Sequence, residues 1–328
     1  MLNYLIGLFH DIGKYQSTFQ KRVNGENVAI EHSSCGAKEI HNEYKDFPPI
    51  LVPAYCIIGH HTGIPNGGII DDAEHETTLN GRLKRETEDY SFYKEDLKDL
   101  IEKTKLTKEK KEQLVNFLLK DCNNSKEKLL NKFAFITRYC FSCLVDADSL
   151  DAASFSQMLP QKLKTDFHEC LKKVNKYLKD KNLNAFTKLQ KTRSKIQSEV
   201  FSKRSTDSEI YLMNMPTGSG KTLCSVKYAL EKAIKNNKER VIYVIPYNSI
   251  IDQTASVLES IFGESADILR HQSTFLLDEE SSKEEIYNVK LATENWNADF
   301  IITTTVQFFE SIYSNKRGKL RKASQYAK

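Results

Sequence analysis

The sequence predicts an α-helical domain followed by a partial α/β domain with a mostly parallel sheet. Three observations predict it. Residues 215–222, from Met215-Pro216 through Gly218-Ser219-Gly220-Lys221-Thr222, stand between an alternating stretch, Glu209 to Asn214, and a stretch apolar at helical spacing, Leu223 to Lys235. Strand, glycine turn and helix in that order are the setting of a phosphate-binding loop. Two short apolar runs follow, Val241–Ile245 and Phe300–Ile302, of the kind buried in parallel sheets. The residues upstream are apolar at helical spacing instead.

In chain order, Leu2, Leu5, Ile6, Phe9 and Ile12 share one side of a first helix. His10-Asp11 lies in it, followed by Ile12-Gly13-Lys14. A second histidine is His32, after Glu31, and an adjacent pair, His60-His61, precedes the turn Pro65-Asn66-Gly67-Gly68. Residues 82–128 read as exposed helices, with Leu97, Leu100, Leu114, Phe117 and Leu118 inward. An apolar helix, Phe133 to Val145, runs into Asp146-Ala147-Asp148-Ser149-Leu150. Imidazoles with a carboxylate suit Mn, Fe, Co, Ni or Zn, and mixed sites often hold two ions. An aspartate beside a histidine can bridge two ions, and adjacent histidines can serve one each. Two ions ~3.5–4 Å apart can activate water and clamp a phosphodiester. Lys14 would offer that phosphate a point charge. Any one of these histidines alone reads as a surface or capping residue, whereas the set together does not. His41 and His75 read as solvated, and Cys140 and Cys143 as a buried helix face rather than a zinc half-site.

The order His-Asp, His, His-His, Asp resembles the His-Asp (HD) metal-dependent phosphohydrolase superfamily. Within it, the order is similar to the nuclease branch found in CRISPR-associated helicase-nucleases of type I interference. The resemblance implies an all-helical domain over residues 1–180, with His10, Asp11 and Lys14 catalytic. It implies a two-metal site of Mn, Co, Ni, Fe or Mg, held by His10, Asp11, His32, His60, His61 and Asp148. Asp146 and Asp148 point to nearly opposite sides of one helix. The superfamily's aspartate is followed by any residue and then an aliphatic one. Asp148-Ser149-Leu150 matches that, and Asp146 stays the alternative. One departure stands out: the family has a further histidine upstream, and the nine residues before His10 contain none. One ion is therefore expected to lack a ligand or to be weakly bound.

Residues 159–208 are charged and helical in pattern, with a domain boundary expected near 180 and a polar loop at 203–208. In the loop that follows, Gly218 and Gly220 lack a Cβ, so backbone N–H groups can close around phosphate oxygens. Lys221 would reach the β/γ-phosphates and Thr222 a Mg²⁺ ion. Pro246 ends the next strand. Strands alternating with helices give a parallel sheet, with loops 215–222, 246–249 and 303–307 at the strands' carboxyl ends.

These residues resemble superfamily 2 helicases, RecA-like in fold, over 181–328. Met215, where the strict motif has glycine, is similar to helicase phosphate loops. Residues 243–253 look like motif Ia, and 303–310 like motif Ib. Residues 291–296 resemble the CRISPR-associated branch. The resemblance implies ATP with Mg on Gly218, Ser219, Gly220, Lys221 and Thr222. It implies single-stranded DNA held by its backbone at Pro246, Tyr247, Asn248, Thr304, Thr305 and Gln307. A Cascade-type CRISPR surveillance complex would be the partner. The family's second carboxylate motif has one candidate here, Asp278-Glu279. It precedes the threonine motif rather than following it, and reads as a loop. The expectation is a metal-dependent single-stranded DNA nuclease fused to an incomplete ATP-driven helicase lobe, one that binds nucleotide weakly without turnover. The alternatives are an HD phosphohydrolase acting on nucleotides and a non-catalytic DNA-binding fragment.

Composition bounds these readings. Of 328 residues, 40% are hydrophobic and 28% charged, the balance of a soluble protein. The net charge of +4 permits a nucleic-acid partner without requiring one. No apolar run reaches the ~18 residues of a membrane helix, and no signal peptide is evident. Seven cysteines, odd in number and scattered, fit reduced thiols in a cytoplasm.

Overall fold

The structure is a computed structural model that describes residues 1–154, 162–202, 209–272 and 290–327. The chain forms two compact units, Met1–Leu159 with Phe309–Ala327, and Pro160–Phe308. The sequence reading placed a single boundary near 180, whereas here the chain leaves the first unit and later returns to it.

The first unit is helical. Its central helix, Leu51–Gly59, is buried on nearly every side, through Val52, Pro53, Ala54, Cys56, Ile57, Ile58 and Gly59. A helix apolar all round belongs inside a core. It packs against Leu2–Phe9, Ser33–Glu43 and the long helix Lys126–Ser154. Two glycines set the closest approaches. A Cβ on Gly36 would lie 1.9 Å from the Phe9 carbonyl oxygen, and one on Gly13 would lie 2.1 Å from that of His32. Only glycine permits backbones that close.

The first helix ends at Phe9, so His10-Asp11 lies just beyond it rather than in it, followed by a 3₁₀ turn, Ile12–Tyr15. The contact at Gly13 turns the chain there. Gln16 reinforces it by donating to the Gly13 and Glu31 carbonyls. Leu114 and Leu118 are buried as expected. Leu100 and Phe117 are exposed instead, with the Lys132 ammonium 4.9 Å from the Phe117 ring centroid. Cys140 is buried and Cys143 half-buried. The returning segment packs Arg317–Leu320 and Ala323–Ala327 on the long helix. Leu320 is wholly buried there, and Ser142 Oγ donates to the Arg321 carbonyl.

The second unit holds a three-stranded parallel sheet of β1 (Val241–Ile245), β2 (Ile268–His271) and β3 (Phe300–Thr304), in the order β1-β3-β2. Central β3 is buried along its whole length. β1 is an edge strand with Val244 exposed, so its apolar run is not covered on both faces as expected. Helices Phe167–Leu183, Lys221–Lys235 and Asn248–Phe262 supply much of the core around Val241, Phe262 and Phe300.

The strand expected at 209–214 is not formed. Among the described strands none pairs with the outer edge of β1, and Ile210 and Leu212 stay exposed. A strand without a ladder leaves its backbone groups to solvent. The 215–222 loop therefore does not leave a sheet strand, unlike the other two loops. β2 went unread in the sequence because it is short and half polar. Thr303 Oγ donates to the His271 carbonyl, and the Trp296 indole N–H to His271 Nδ1. Asp278-Glu279 lies outside the described residues. Among the described residues no helix is long and apolar enough to cross a membrane.

Candidate metal centre and nucleotide loop

In the first unit, residues distant in sequence converge on Asp11. Its Oδ1 lies 3.5 Å from His32 Nε2 and 3.7 Å from His60 Nε2. Its Oδ2 lies 3.2 Å from His10 Nε2 and 2.5 Å from Lys14 Nζ. His61 Nε2 stands 2.9 Å from His32 Nε2. Asp11, His32, His60 and His61 make one group whose potential ligand atoms lie within 4.8 Å of one another, and His10, Asp11 and Asp148 make a second. Asp11 belongs to both.

Local structure aims these rings. His60 and His61 follow the last residue of the buried helix, and His32 is the N-cap of Ser33–Glu43. His10 Nδ1 donates to the Gly7 carbonyl at 2.8 Å and His60 Nδ1 to that of Ile57 at 2.6 Å. A carbonyl only accepts, so each ring keeps its proton on Nδ1 and frees Nε2. Asp11 Oδ1 and His60 Nε2 are buried without a hydrogen-bond partner. Such atoms are costly unless something outside the protein satisfies them. The donor set, imidazole nitrogens around a shared carboxylate, fits divalent transition metals.

At three of the four shifted groups, Asp11, His60 and His61 but not His10, the electrostatics agree with that fit. Burial pushes the Asp11 carboxyl up, but its close contacts with His10, His32 and Lys14 outweigh that and hold the group well below the usual range. Burial pushes His60 down to about 3, which keeps it neutral and able to ligate. Burial and the neighbouring His32 also lower His61. Burial pulls His10 down, but its contacts with Asp11 carry it above its ordinary value.

Of the two candidate aspartates, Asp148 joins the cluster. Asp146 is buried against Arg321, whose Nε donates to it at 2.8 Å. Sequence reasoning missed three residues around the ligands. Arg82, itself buried, donates to the Ile58 carbonyl at 2.6 Å, Glu31 at 2.7 Å and Ser33 Oγ at 2.6 Å. It thereby ties the His32 turn to the helix ahead of His60. Burial raises Glu31, but Ser33, Ser34 and Arg82 bring it down to about 2. Arg317 donates to Asp148 Oδ2. Beyond Glu31 standing next to His32, no sequence pattern marks them. A cavity of about 590 Å³ opens beside the cluster, lined by Lys14, Arg22, His32, His61 and Thr62 among others.

In the second unit the loop takes a phosphate-binding shape. Gly218 and Gly220 have φ of +76° and +92°, and Gly220 caps the helix that starts at Lys221. Left-handed backbone of this kind favours glycine. Ser219 is buried, donating to the Pro216 carbonyl and accepting at its own carbonyl from Gln197. Lys221 and Thr222 are exposed at the helix N-terminus, where backbone N–H groups and the helix dipole attract anions. Ile245 and Thr304 are in register on neighbouring parallel strands, so Pro246–Asn248 and Thr305–Gln307 leave the sheet side by side. Pro246 and Tyr247 are exposed. The Thr304 hydroxyl accepts from the Gln307 N–H as a helix cap.

Residues 194–326 match the DEAD/DEAH box helicase family. The chain is also similar to a CRISPR-associated nuclease/helicase Cas3 from Haloferax volcanii, 29% identical over 130 residues. That match covers 33% of this chain and 14% of the relative. The first finding marks residues 194–326 as similar to a helicase domain. Together the two support a likeness to Cas3-like superfamily 2 helicases.

Proposed function

We propose that this protein carries a metal-dependent single-stranded DNA nuclease of the HD type beside an ATP-binding helicase lobe, and acts in type I CRISPR antiviral defence with a Cascade-type surveillance complex. The observation that carries the nuclease reading is the pair of ligand groups sharing Asp11. His32, His60, His61 and Asp11 would hold one divalent ion, and His10, Asp11 and Asp148 the other. Bound there, the ions supply Lewis acidity at a scissile phosphodiester and an activated water. Asp11 would be shared between the two groups, its Oδ1 facing His32 and His60 and its Oδ2 facing His10. Lys14 lines the adjoining cavity and offers its ammonium to a phosphate oxygen. In the second unit, Gly218, Ser219, Gly220, Lys221 and Thr222 would hold ATP with Mg²⁺. The segments at 246–248 and 305–307, half-buried to exposed where they leave β1 and β3, would offer N–H and hydroxyl groups to a DNA backbone.

The test is nicking of circular single-stranded DNA with added Mn²⁺, Co²⁺ or Ni²⁺ and no ATP, with nucleotides assayed in parallel. Wild type cleaves the DNA, Asp11→Ala abolishes cleavage, and Lys221→Ala leaves it intact while losing ATP binding. Equal loss in the two variants would refute separate sites. Hydrolysis of nucleotides without DNA cleavage would favour a nucleotide phosphohydrolase.

A further inference from the structure

The two ligand groups are not held equally well. In the first, His60 is fully buried with Nδ1 fixed by the Ile57 carbonyl, and the turn bearing His32 is clamped by Arg82. The second has three ligands and includes Asp148, which is partly exposed on the flank of the long helix. Among the described residues one donor hydrogen-bonds its carboxylate, and that donor comes from the segment that returns to this unit. Arg317 Nη2 donates to Asp148 Oδ2 at 2.9 Å and to Ser149 Oγ at 2.8 Å, and its Nε donates to the His60 carbonyl at 2.8 Å.

We propose that Arg317 is a positioning residue for the second metal, fixing the Asp148 carboxylate against the His60 turn so that it faces His10 and Asp11. The inference rests on the two-metal reading above. A carboxylate offers about four lone-pair sites, so one bond to a guanidinium leaves room for an ion. The planar fork of arginine reaches three acceptors on two chain segments, which a lysine ammonium on the same stem does not reproduce. Hydrogen bonds that orient a ligand from outside typically change metal affinity about 10–100-fold. The effect here falls mainly on one ion, because the ligands of the other keep anchors besides the Arg317 bond to the His60 carbonyl: Ile57 holds the His60 ring and Arg82 the His32 turn.

Mn²⁺ binding, read from the free-ion signal in electron paramagnetic resonance, tests this on the full chain without relying on cleavage. Wild type binds two ions. Arg317→Met should weaken the second about tenfold or more and leave the first nearly unchanged, with Arg317→Lys in between. Lys319→Met, which removes a surface pair with Glu310 on the same segment, should match wild type. Melting curves separate folding from positioning, and if Arg317→Met does not fold, Arg317→Lys carries the comparison. An unchanged second ion overturns the proposal, as does a tighter one, which would make Arg317 a competitor of the metal. Equal loss of both ions with a lowered melting temperature would make its role structural only. Should wild type bind no Mn²⁺, the two-metal reading itself fails, an outcome distinct from all of these.

Discussion

At the scale of single residues, the histidine cluster is a source of acid lability. His60 is neutral when folded, with its pKa lowered by burial to about 3. The unfolded chain, titrating near 6.5, therefore binds the proton first, so stability from His60 is full above about pH 6.5 and is lost as pH falls toward 3. Glu31 works in the same direction lower down. Burial opposes its ionisation, but Ser33, Ser34 and Arg82 hold it at about 2. Its contribution is present above the ordinary glutamate range and is lost as pH falls through that range. Urea midpoints measured in EDTA should fall from pH 7 to 5 and again from 5 to 3.5. His10, raised by its contacts with Asp11, works the other way over this range, so a flat profile between 7 and 5 would show that the loss at His60 does not exceed that gain.

At the scale of elements, what was legible depended on whether a feature is local. The helices around the histidines and the helix after Gly220 show in spacing and caps, because each follows from its own residues. The histidines could be grouped with Asp11 by their chemistry as a set, and the family resemblance gave the ligand roles, but their approach to Asp11 depends on contacts between elements. Gly13 shows why such contacts are hard to read, since its reason for being glycine is the His32 carbonyl beside it. Gly13→Ala should force these backbones apart, lower stability by about 1–3 kcal/mol and weaken Mn²⁺ binding. A variant with wild-type melting and Mn²⁺ affinity would show that the turn gives way freely. The expected strand at 209–214 failed for the complementary reason. Alternation makes a strand possible, but a ladder partner decides it, and among the described strands β1 does not receive it. Arg82 and Arg317 were invisible because an arginine in a charged stretch looks the same whether solvated or clamping a ligand.

At the scale of the molecule, the first unit draws on two separated parts of the chain. Residues 309–327 bring Leu320 into its core, Arg321 to buried Asp146 and Arg317 to Asp148. Removing one partner of a buried pair such as Arg321–Asp146 costs about 3–5 kcal/mol. A fragment of residues 1–159 should therefore melt well below the full chain, and adding a synthetic 309–327 peptide should raise its melting point. If the fragment alone matches the full chain, the returning segment is peripheral.

That arrangement also sets an order of assembly during synthesis. Domains generally fold as the ribosome releases them, at about 5–20 residues per second. The histidines and both aspartates of the cluster emerge early, but the segment that completes their surroundings follows only after residues 160–308 have been translated. The nascent helical unit must wait on the order of ten seconds with Asp146 unpaired and part of its core open. The histidine–aspartate cluster thus gains its final anchors only once the glycine loop at 215–222 has already been made.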